Sequence, residues 1–325
     1  MLNVYVADGT RLQKVPCSAP EAMPADPIWL DLLAPTAEED ALVEQKLCIT
    51  VPTRDEMQEI EPSSRLYTEN GAHYMTATLL SHAESDHPEA SAVTFILVGK
   101  RLVTVRYAEP KSFDLFIARV QRPGVNALTG EAALVGLLEA VIDRGADILE
   151  RLAGEIDRIS RDVFRATALR PDERRPFRDL LNDIGRRGDL DSKIGESLAT
   201  LGRLLAFLAP TFEAAEADRE LRGRVSSMVS DVRSLSDYAS FLSDKVTFLL
   251  EATLGLINIE QNTIIKIFSV AAVVFMPPTL IASIYGMNFR HMPELEWYFG
   301  YPLALGMLIA SALVTYWLFK RRGWL

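Results

Sequence analysis

The sequence predicts an α+β cytoplasmic domain, an α/β sandwich, followed by long stalk helices and two C-terminal transmembrane helices. In the first third of the chain, short runs are rich in β-branched and aromatic residues. After Gly130 the spacing of the apolar residues changes to the helical period of about 3.6. Near the C-terminus, Ile267–Phe289 and Phe299–Phe319 lack charge, and each is long enough for the about 20 residues that cross a bilayer core.

These changes along the chain predict its division into segments. We predict a cytoplasmic α/β domain over residues 1–128, a helical stalk over 129–261, a first transmembrane helix over 262–287, an extracytoplasmic loop over 288–298, a second transmembrane helix over 299–319 and a basic cytoplasmic tail over 320–325.

Composition excludes several classes of protein. The net charge of −10 argues against nucleic acid, because binding to it depends on Lys and Arg neutralising phosphates. Cys17 and Cys48 are far apart, so neither a disulfide framework nor a cysteine zinc site is expected. The N-terminus lacks the charged and apolar regions of a signal peptide. We find no P-loop, G-x-G-x-x-G, G-x-S-x-G or H-E-x-x-H motif, so neither an enzyme nor an organic cofactor is predicted.

Short strands and one well-marked helix are predicted in the first domain. Thr36 and Glu39 have the spacing of a capping box, which predicts a helix that runs towards Leu47. Gly99 and Lys100 fit a tight hairpin between two strands. The predicted strands are Leu2–Ala7, Ile28–Leu32, Tyr74–Ser81, Ala92–Val98 and Arg101–Tyr107.

Long helices are predicted from Gly130 onwards. An apolar stripe from Leu134 to Val163 predicts the first of them. A second helix is predicted from about Phe177 to Leu208, ending at Pro210. No proline follows until Pro277, so we predict one helix from about Glu213 to Ile284, which is either a passive stalk or the element that couples a cytoplasmic site to the membrane.

One face of the first apolar span carries small and polar residues. Stepping along a helix from Asn262 gives Ile265, Ser269, Ala272, Met276, Thr279, Ser283 and Gly286. Such a stripe either packs closely against another helix or faces water in a pore shared by several copies of the chain. The second span ends at Lys320, Arg321 and Arg322, and the positive-inside rule then places both termini in the cytoplasm.

A recognisable sequence motif lies at the end of the first span. Residues 285–289 read YGMNF, and Met292-Pro293-Glu294-Leu295 and Trp297 follow. This pattern resembles the signature of CorA-type magnesium transporters, and the resemblance extends through residues 257–262, 276–280 and 300–302 to the C-terminal tail. It implies a funnel-shaped homopentamer in the inner membrane, embedded in the lipid bilayer, with the first span lining the axis. The transported ion would be Mg²⁺, with Co²⁺ or Ni²⁺ as further divalent cations.

The resemblance also assigns roles to the residues along the pore. Mg²⁺ gives up its waters reluctantly, so a filter should hydrogen-bond to the hydrated ion, as a ring of Asn288 amides would; the alternative role for Asn288 is a helix C-cap. Arg290 stands where an acidic residue commonly follows YGMNF. The filter would comprise Tyr285, Gly286, Met287 and Asn288, the pore lining and gate Asn262, Ile265, Phe268, Ala272, Met276, Thr279 and Ser283, and the outer mouth Glu294 and Glu296. Packing without a gate remains the alternative for Met, Ile and Phe, above all for Phe268, which lies one position off the stripe.

An acidic segment is the candidate for a regulatory metal. Residues 82–89 read HAESDHPE, which indicates either a solvated hairpin loop or a divalent-cation site. The family is understood to sense cytoplasmic Mg²⁺ at acids between neighbouring subunits. That makes Glu84, Asp86 and Glu89, together with Asp231 on the long helix, candidates for a regulatory Mg²⁺ site.

Two other functions compete with Mg²⁺ transport. Zinc transport, as in another bacterial branch of the family, ranks lower because MPEL follows GMN and no Cys/His cluster supplies soft ligands. A membrane-anchored sensor or scaffold would need spans that only tether, whereas the first span carries a polar stripe and two prolines.

Overall fold

The protein is described by a computed structural model that covers residues 1–9, 11–15, 23–85, 87–122, 128–165, 175–214, 219–287, 292–293 and 297–322. The chain divides into two compact units, Met1–Leu250 and Glu251–Leu325. The predicted α+β domain, long helices and two apolar C-terminal helices are confirmed.

A mixed sheet forms the centre of the first unit. Its strands are β1 (Leu2–Asp8), β2 (Arg11–Val15), β3 (Trp29–Leu33), β4 (Leu66–Glu69), β5 (Ala72–Ser81), β6 (Glu89–Val98) and β7 (Arg101–Arg106). Among the described residues the strand order is β2-β1-β3-β7-β6-β5-β4. Only β3 and β7 pair in parallel within this sheet, since the other neighbours run antiparallel.

Helices cover both faces of the sheet. They are α1 (Ala37–Leu47), α2 (Arg54–Gln58), α3 (Pro62–Arg65), α4 (Lys111–Val120), α5 (Gly130–Arg165), α6 (Phe177–Ala214), α7 (Arg219–Tyr285) and α8 (Gly300–Arg321). Successive side chains of a strand point to opposite faces. Leu30 therefore joins the core under α1 with Val43, whereas the Trp29 ring lies 5.5 Å from the ring of Phe116 on α4.

A buried ion pair ties β3 to β7 beneath α4. The guanidinium of Arg106 donates two hydrogen bonds of 2.9 Å to the carboxylate of Asp31, which is 0% exposed. The hydroxyl of Thr104 and the amide of Asn3 donate to the same carboxylate. Burial opposes the charge on Arg106, but the hydrogen bonds that Arg106 donates to Asp31, together with the negative charges of Asp31, Glu109 and Asp114, outweigh that cost and raise the pKa of Arg106. This network supplies the partners that a buried charge needs.

Ion pairs hold α5 beside α7 in the first unit. Arg224 of α7 forms a bidentate pair with Glu139 of α5, with both distances 2.7 Å. Further along, Lys245 of α7 pairs with Asp157 of α5. The residue numbers increase together from the first pair to the second, from 139 to 157 on α5 and from 224 to 245 on α7, so the two helices run parallel in this part of the chain.

Local signals predicted these elements well. The capping box is confirmed, since the Thr36 hydroxyl accepts from the Glu39 amide and the Glu39 carboxylate accepts from the Thr36 amide. The tight hairpin at Gly99 and Lys100 is also confirmed, with Val98 paired to Arg101. The strands β2 and β4 and the helices α2, α3 and α4 were not predicted. Of these, β2 is a short edge strand, and β4, α2 and α3 have only four or five residues.

The predicted end of α6 at Pro210 is wrong. The helix passes through Pro210 and continues to Ala214. Proline removes one backbone hydrogen bond from a helix. Burial of Leu208 and Phe212 on either side of Pro210 stabilises the helix across it. The next helix accordingly starts at Arg219 and not near Glu213, and it ends at Tyr285.

Candidate ion pathway

The membrane part of α7 has one covered face and one exposed face. In the second unit the partly or fully buried positions of this segment are Val270, Val274, Pro277, Pro278, Ile281 and Tyr285. They recur every three or four residues and so form a single helical face. The small and polar stripe lies on the opposite side, since a helix turns by about 100° per residue.

Every residue of the predicted pore lining is exposed in the single chain. Ile265 is 61% exposed, Phe268 72% and Met276 65%. Asn262, Ala272, Thr279 and Ser283 are exposed as well. Phe275, outside the predicted lining, is also 67% exposed, so exposure alone does not separate a lipid-facing from a water-facing side chain.

The prolines and hydroxyls of this segment change its backbone bonding. Pro277 and Pro278 lie inside α7 and lack the amide protons that would bond to the carbonyls of Val273 and Val274. The hydroxyl of Thr279 donates to the carbonyl of Phe275 at 2.7 Å. A membrane helix tolerates carbonyls without an amide partner where they line a water-filled cavity or are buried in protein.

The predicted filter begins where α7 ends. The amide of Gly286 donates to the carbonyl of Ala282 at 2.9 Å, and the amide of Met287 donates to Ile284 at 3.2 Å. A Cβ atom at Gly286 would lie 3.1 Å from the carbonyl oxygen of Ala282, so glycine relieves a crowded last turn. Asn288, Glu294 and Glu296, together with Arg290, lie outside the described residues.

The second span, α8, also has a single half-buried face. It comprises Ala304, Met307, Leu308, Ser311, Ala312, Thr315 and Phe319. Both α7 and α8 contain a window long and apolar enough to cross a membrane, with mean hydropathies of 2.1 and 1.8. The charges Lys320 and Arg321 follow in the last turn of α8.

The described residues among the predicted regulatory acids, Glu84, Glu89 and Asp231, do not form a common site within one chain. The Glu84 carboxylate lies 2.8 Å from Lys111 and 2.7 Å from Arg144, and these hydrogen bonds lower its pKa. Glu89 lies 3.9 Å from the His82 ring. Asp231 accepts from a neighbouring serine on α7. Asp86 lies outside the described residues, and the described ones contain no group of three acids, histidines or cysteines that could hold a metal.

The surroundings of the acidic loop are basic, a feature that local sequence patterns could not predict because the cations lie far from the loop along the chain. Besides the two cations on Glu84, Arg151 donates to the carbonyl of Ala83 and Lys193 donates to the carbonyl of Pro88. These residues lie on α4, α5 and α6, far from the loop in sequence. The loop is therefore held against the helices by cations from three of them.

Comparison with known proteins places the chain in a family. The family model described as CorA-like Mg²⁺ transporter protein matches residues 24–321. The proteins called magnesium transport protein CorA from Pasteurella multocida and Haemophilus influenzae are 33% and 34% identical to this chain, and each alignment covers 100% of both sequences.

Solved structures share the fold. The complete structure of the CorA magnesium transporter from Methanocaldococcus jannaschii matches with a TM-score of 0.76 at 19% identity, covering 100% of this chain and 99% of that one. The full-length CmaX protein matches with a TM-score of 0.71 at 13% identity over 99% of this chain and 97% of that one. The family match and the similarity to the magnesium transport proteins, together with the two apolar helices, fit an inner-membrane protein with a cytoplasmic N-terminal domain. The resemblance seen at YGMNF is thus confirmed, and the chain belongs to the family of CorA-like Mg²⁺ transporter proteins.

Proposed function

We propose that the protein is a passive channel for Mg²⁺, assembled from several copies whose α7 helices surround a shared water-filled path. The observation that carries this proposal is the position of the polar stripe on α7. It lies opposite the covered face, so assembly can bring the stripes together around one axis while each α8 faces outward. A single copy with two spans cannot enclose a path, which is why the proposal requires an oligomer, and we propose the homopentamer that the family resemblance implies.

Mg²⁺ chemistry explains the residue types along the proposed path. Amide and carbonyl oxygens can hydrogen-bond to the water shell of the ion, whereas a ring of carboxylates would hold it too tightly to release it. Asn288 supplies the amides at the end of α7, and Thr279 and Ser283 supply hydroxyls further in. Met276 and Ile265 would form apolar collars that lose water when they narrow.

The charge at the outer mouth and the lack of charge along the span support entry from outside. Glu294 and Glu296 would concentrate cations at the outer mouth. From Ile267 to Met287 no charged side chain opposes or traps the ion. Arg290 weakens the attraction at the mouth, so we propose that outer electrostatics contribute less here than the amide ring. Co²⁺ and Ni²⁺ would share the path because they too are hydrated divalent ions.

Regulation by cytoplasmic Mg²⁺ is the second part of the proposal. Glu89 and Asp231 are exposed and therefore accessible to a cation held between copies. Glu84 would first have to leave Lys111 and Arg144, which makes it a costlier ligand than Glu89 or Asp231. The helix α7 contains both Asp231 and the pore stripe, so one continuous element links the proposed regulatory acid to the path.

Flux into liposomes tests the proposed function. Liposomes that contain the purified protein and a fluorescent Mg²⁺ indicator in their lumen should admit Mg²⁺ down its gradient. Entry should speed up when the lumen is made negative, because each Mg²⁺ carries its positive charge inward without a compensating ion. Liposomes without protein are the control. Entry of Zn²⁺ but not Mg²⁺ would favour zinc transport, and entry of neither ion through folded, inserted protein would favour a sensor or scaffold.

A further inference from the structure

A buried acid lies where α6 meets α7. Asp191 of α6 is 4% exposed, and its Oδ1 atom has no hydrogen-bond partner among the described residues. The hydroxyl of Ser243 on α7 hydrogen-bonds to this carboxyl group. A carboxylate that is buried with one oxygen unpartnered loses much of its solvation, so its charged form is disfavoured.

The helices α6 and α7 approach each other closely at Gly188, three residues before Asp191. A Cβ atom on Gly188 would lie 3.3 Å from the side chain of Val246, and one on Gly202 would lie 3.6 Å from Val232. Gly188 of α6 lies opposite Val246 of α7. Asp191 lies three residues after Gly188, and its partner Ser243 lies three residues before Val246. The same antiparallel register therefore runs from Gly188 to Gly202, and Asp191 lies within it.

Among the residues that the structure describes, no cation compensates the charge of Asp191. The nearby charged groups on α5 and α6 have other partners: Arg187 pairs with Glu155, Lys193 with Asp189, and Arg151 binds the Ala83 carbonyl. On α7, Lys245 pairs with Asp157 of α5, and Asp244 is exposed. Burial is thus the main influence on Asp191 and raises its pKa to about 6, with the Ser243 hydrogen bond acting in the opposite direction.

We propose that Asp191 is a proton-controlled latch, which holds α6 against α7 when the carboxyl is neutral and loosens that contact when it ionises. Opening the contact exposes the carboxyl to water, where it ionises readily, so opening releases a proton and becomes easier as the pH rises. The same helix α7 continues into the first membrane span. The pH-dependent opening of the contact between α6 and α7 does not depend on the proposed function. Only an effect of this opening on Mg²⁺ entry rests on it.

The size of the effect follows from linkage. With a pKa near 3.8 in the open contact and about 6 in the closed one, the opening constant should rise about tenfold between pH 5 and pH 7.5. Most of that rise should occur below pH 6.5, and the opening constant should level off above it.

Hydrogen exchange of the full-length protein in lipid nanodiscs tests the latch. After correction for the intrinsic pH dependence of exchange, peptides of α6 and α7 around Asp191 should open about tenfold more readily at pH 7.5 than at pH 5. Asp191→Asn, which is neutral at both pH values, should remove this difference and leave the contact closed. Asp189→Asn, an exposed acid two residues away, should behave like the unmodified protein.

Ser243→Ala provides a second variant that leaves the buried acid in place. Because the Ser243 hydrogen bond lowers the pKa of Asp191, its removal should move the midpoint of the pH response upwards. Any one of three results would overturn the latch. The α6 and α7 peptides of the unmodified protein could show no pH response, the response could persist in Asp191→Asn, or its midpoint could be unchanged in Ser243→Ala. Mg²⁺ entry measured for the same protein variants in liposomes separates this result from a failure of the proposed function, since hydrogen exchange reports on the latch even where no ion passes.

Discussion

Replacing Asn288 by Ala is expected to lower Mg²⁺ entry by about tenfold or more and to reduce the preference of the protein for Mg²⁺ over monovalent ions. One hydrogen bond to a charged or polarised group is worth about 1.5–3 kcal/mol, and 1.4 kcal/mol corresponds to a factor of ten. The substitution would remove that bond from every copy in the proposed ring. The measurement is initial Mg²⁺ entry into liposomes, alone and in competition with excess Na⁺.

Two further variants make the Asn288 result specific. Asn182→Ala makes the same chemical change at an exposed site on α6 and should leave entry unchanged. Asn288→Asp should also slow entry, since a ring of carboxylates binds the ion and delays its release. If Asn288→Ala conducts as well and as selectively as the unmodified protein, the amide ring is not the filter, although a channel would remain.

Replacing Asp31 by Ala is expected to destabilise the N-terminal domain by about 3–5 kcal/mol. The substitution leaves Arg106, whose side chain is 7% exposed, as a buried charge without its bidentate partner. It also takes away the acceptor used by Thr104 and Asn3. The apparent midpoint of thermal unfolding of the purified protein should fall by roughly 10 °C.

An exposed ion pair gives the matched control for Asp31. Asp26 pairs with Arg101 at 3.1 Å, but its side chain is 89% exposed. Exposed pairs contribute between about 0 and 1 kcal/mol, so Asp26→Ala should change the midpoint by no more than a few degrees. Equal effects of the two substitutions would show that burial of the Asp31 pair does not matter for stability.

Some elements were predictable because their signals are local. The capping box at Thr36 needs only a residue three positions later, and the hairpin at Gly99 needs only its flanking strands. The two apolar helices can be read from a continuous absence of charge. The family resemblance likewise depends on a contiguous motif, YGMNF, and on the residues that follow it.

Other features depend on residues distant in sequence and could not be predicted. The passage of α6 through Pro210 requires the burial of Phe212, which tertiary packing decides. The acids of the hairpin loop suggested a cation site, yet Glu84 is engaged by Lys111 and Arg144 from two helices that fold over it. Asp191 looks like any polar residue of a stalk helix until its register with Ser243 of α7 is known.

Thiol accessibility in the membrane part of α7 tests most directly whether the polar stripe faces water. In a protein with Cys17 and Cys48 replaced by Ser, Thr279→Cys lies on the exposed stripe, and Val274→Cys lies on the covered face. We expect a small, charged, water-soluble thiol reagent to modify Thr279→Cys and stop Mg²⁺ entry, while Val274→Cys stays unmodified and conducts. A water-facing stripe would be contradicted by an unreactive Thr279→Cys in liposomes that admit Mg²⁺, or by modification of Val274→Cys alone.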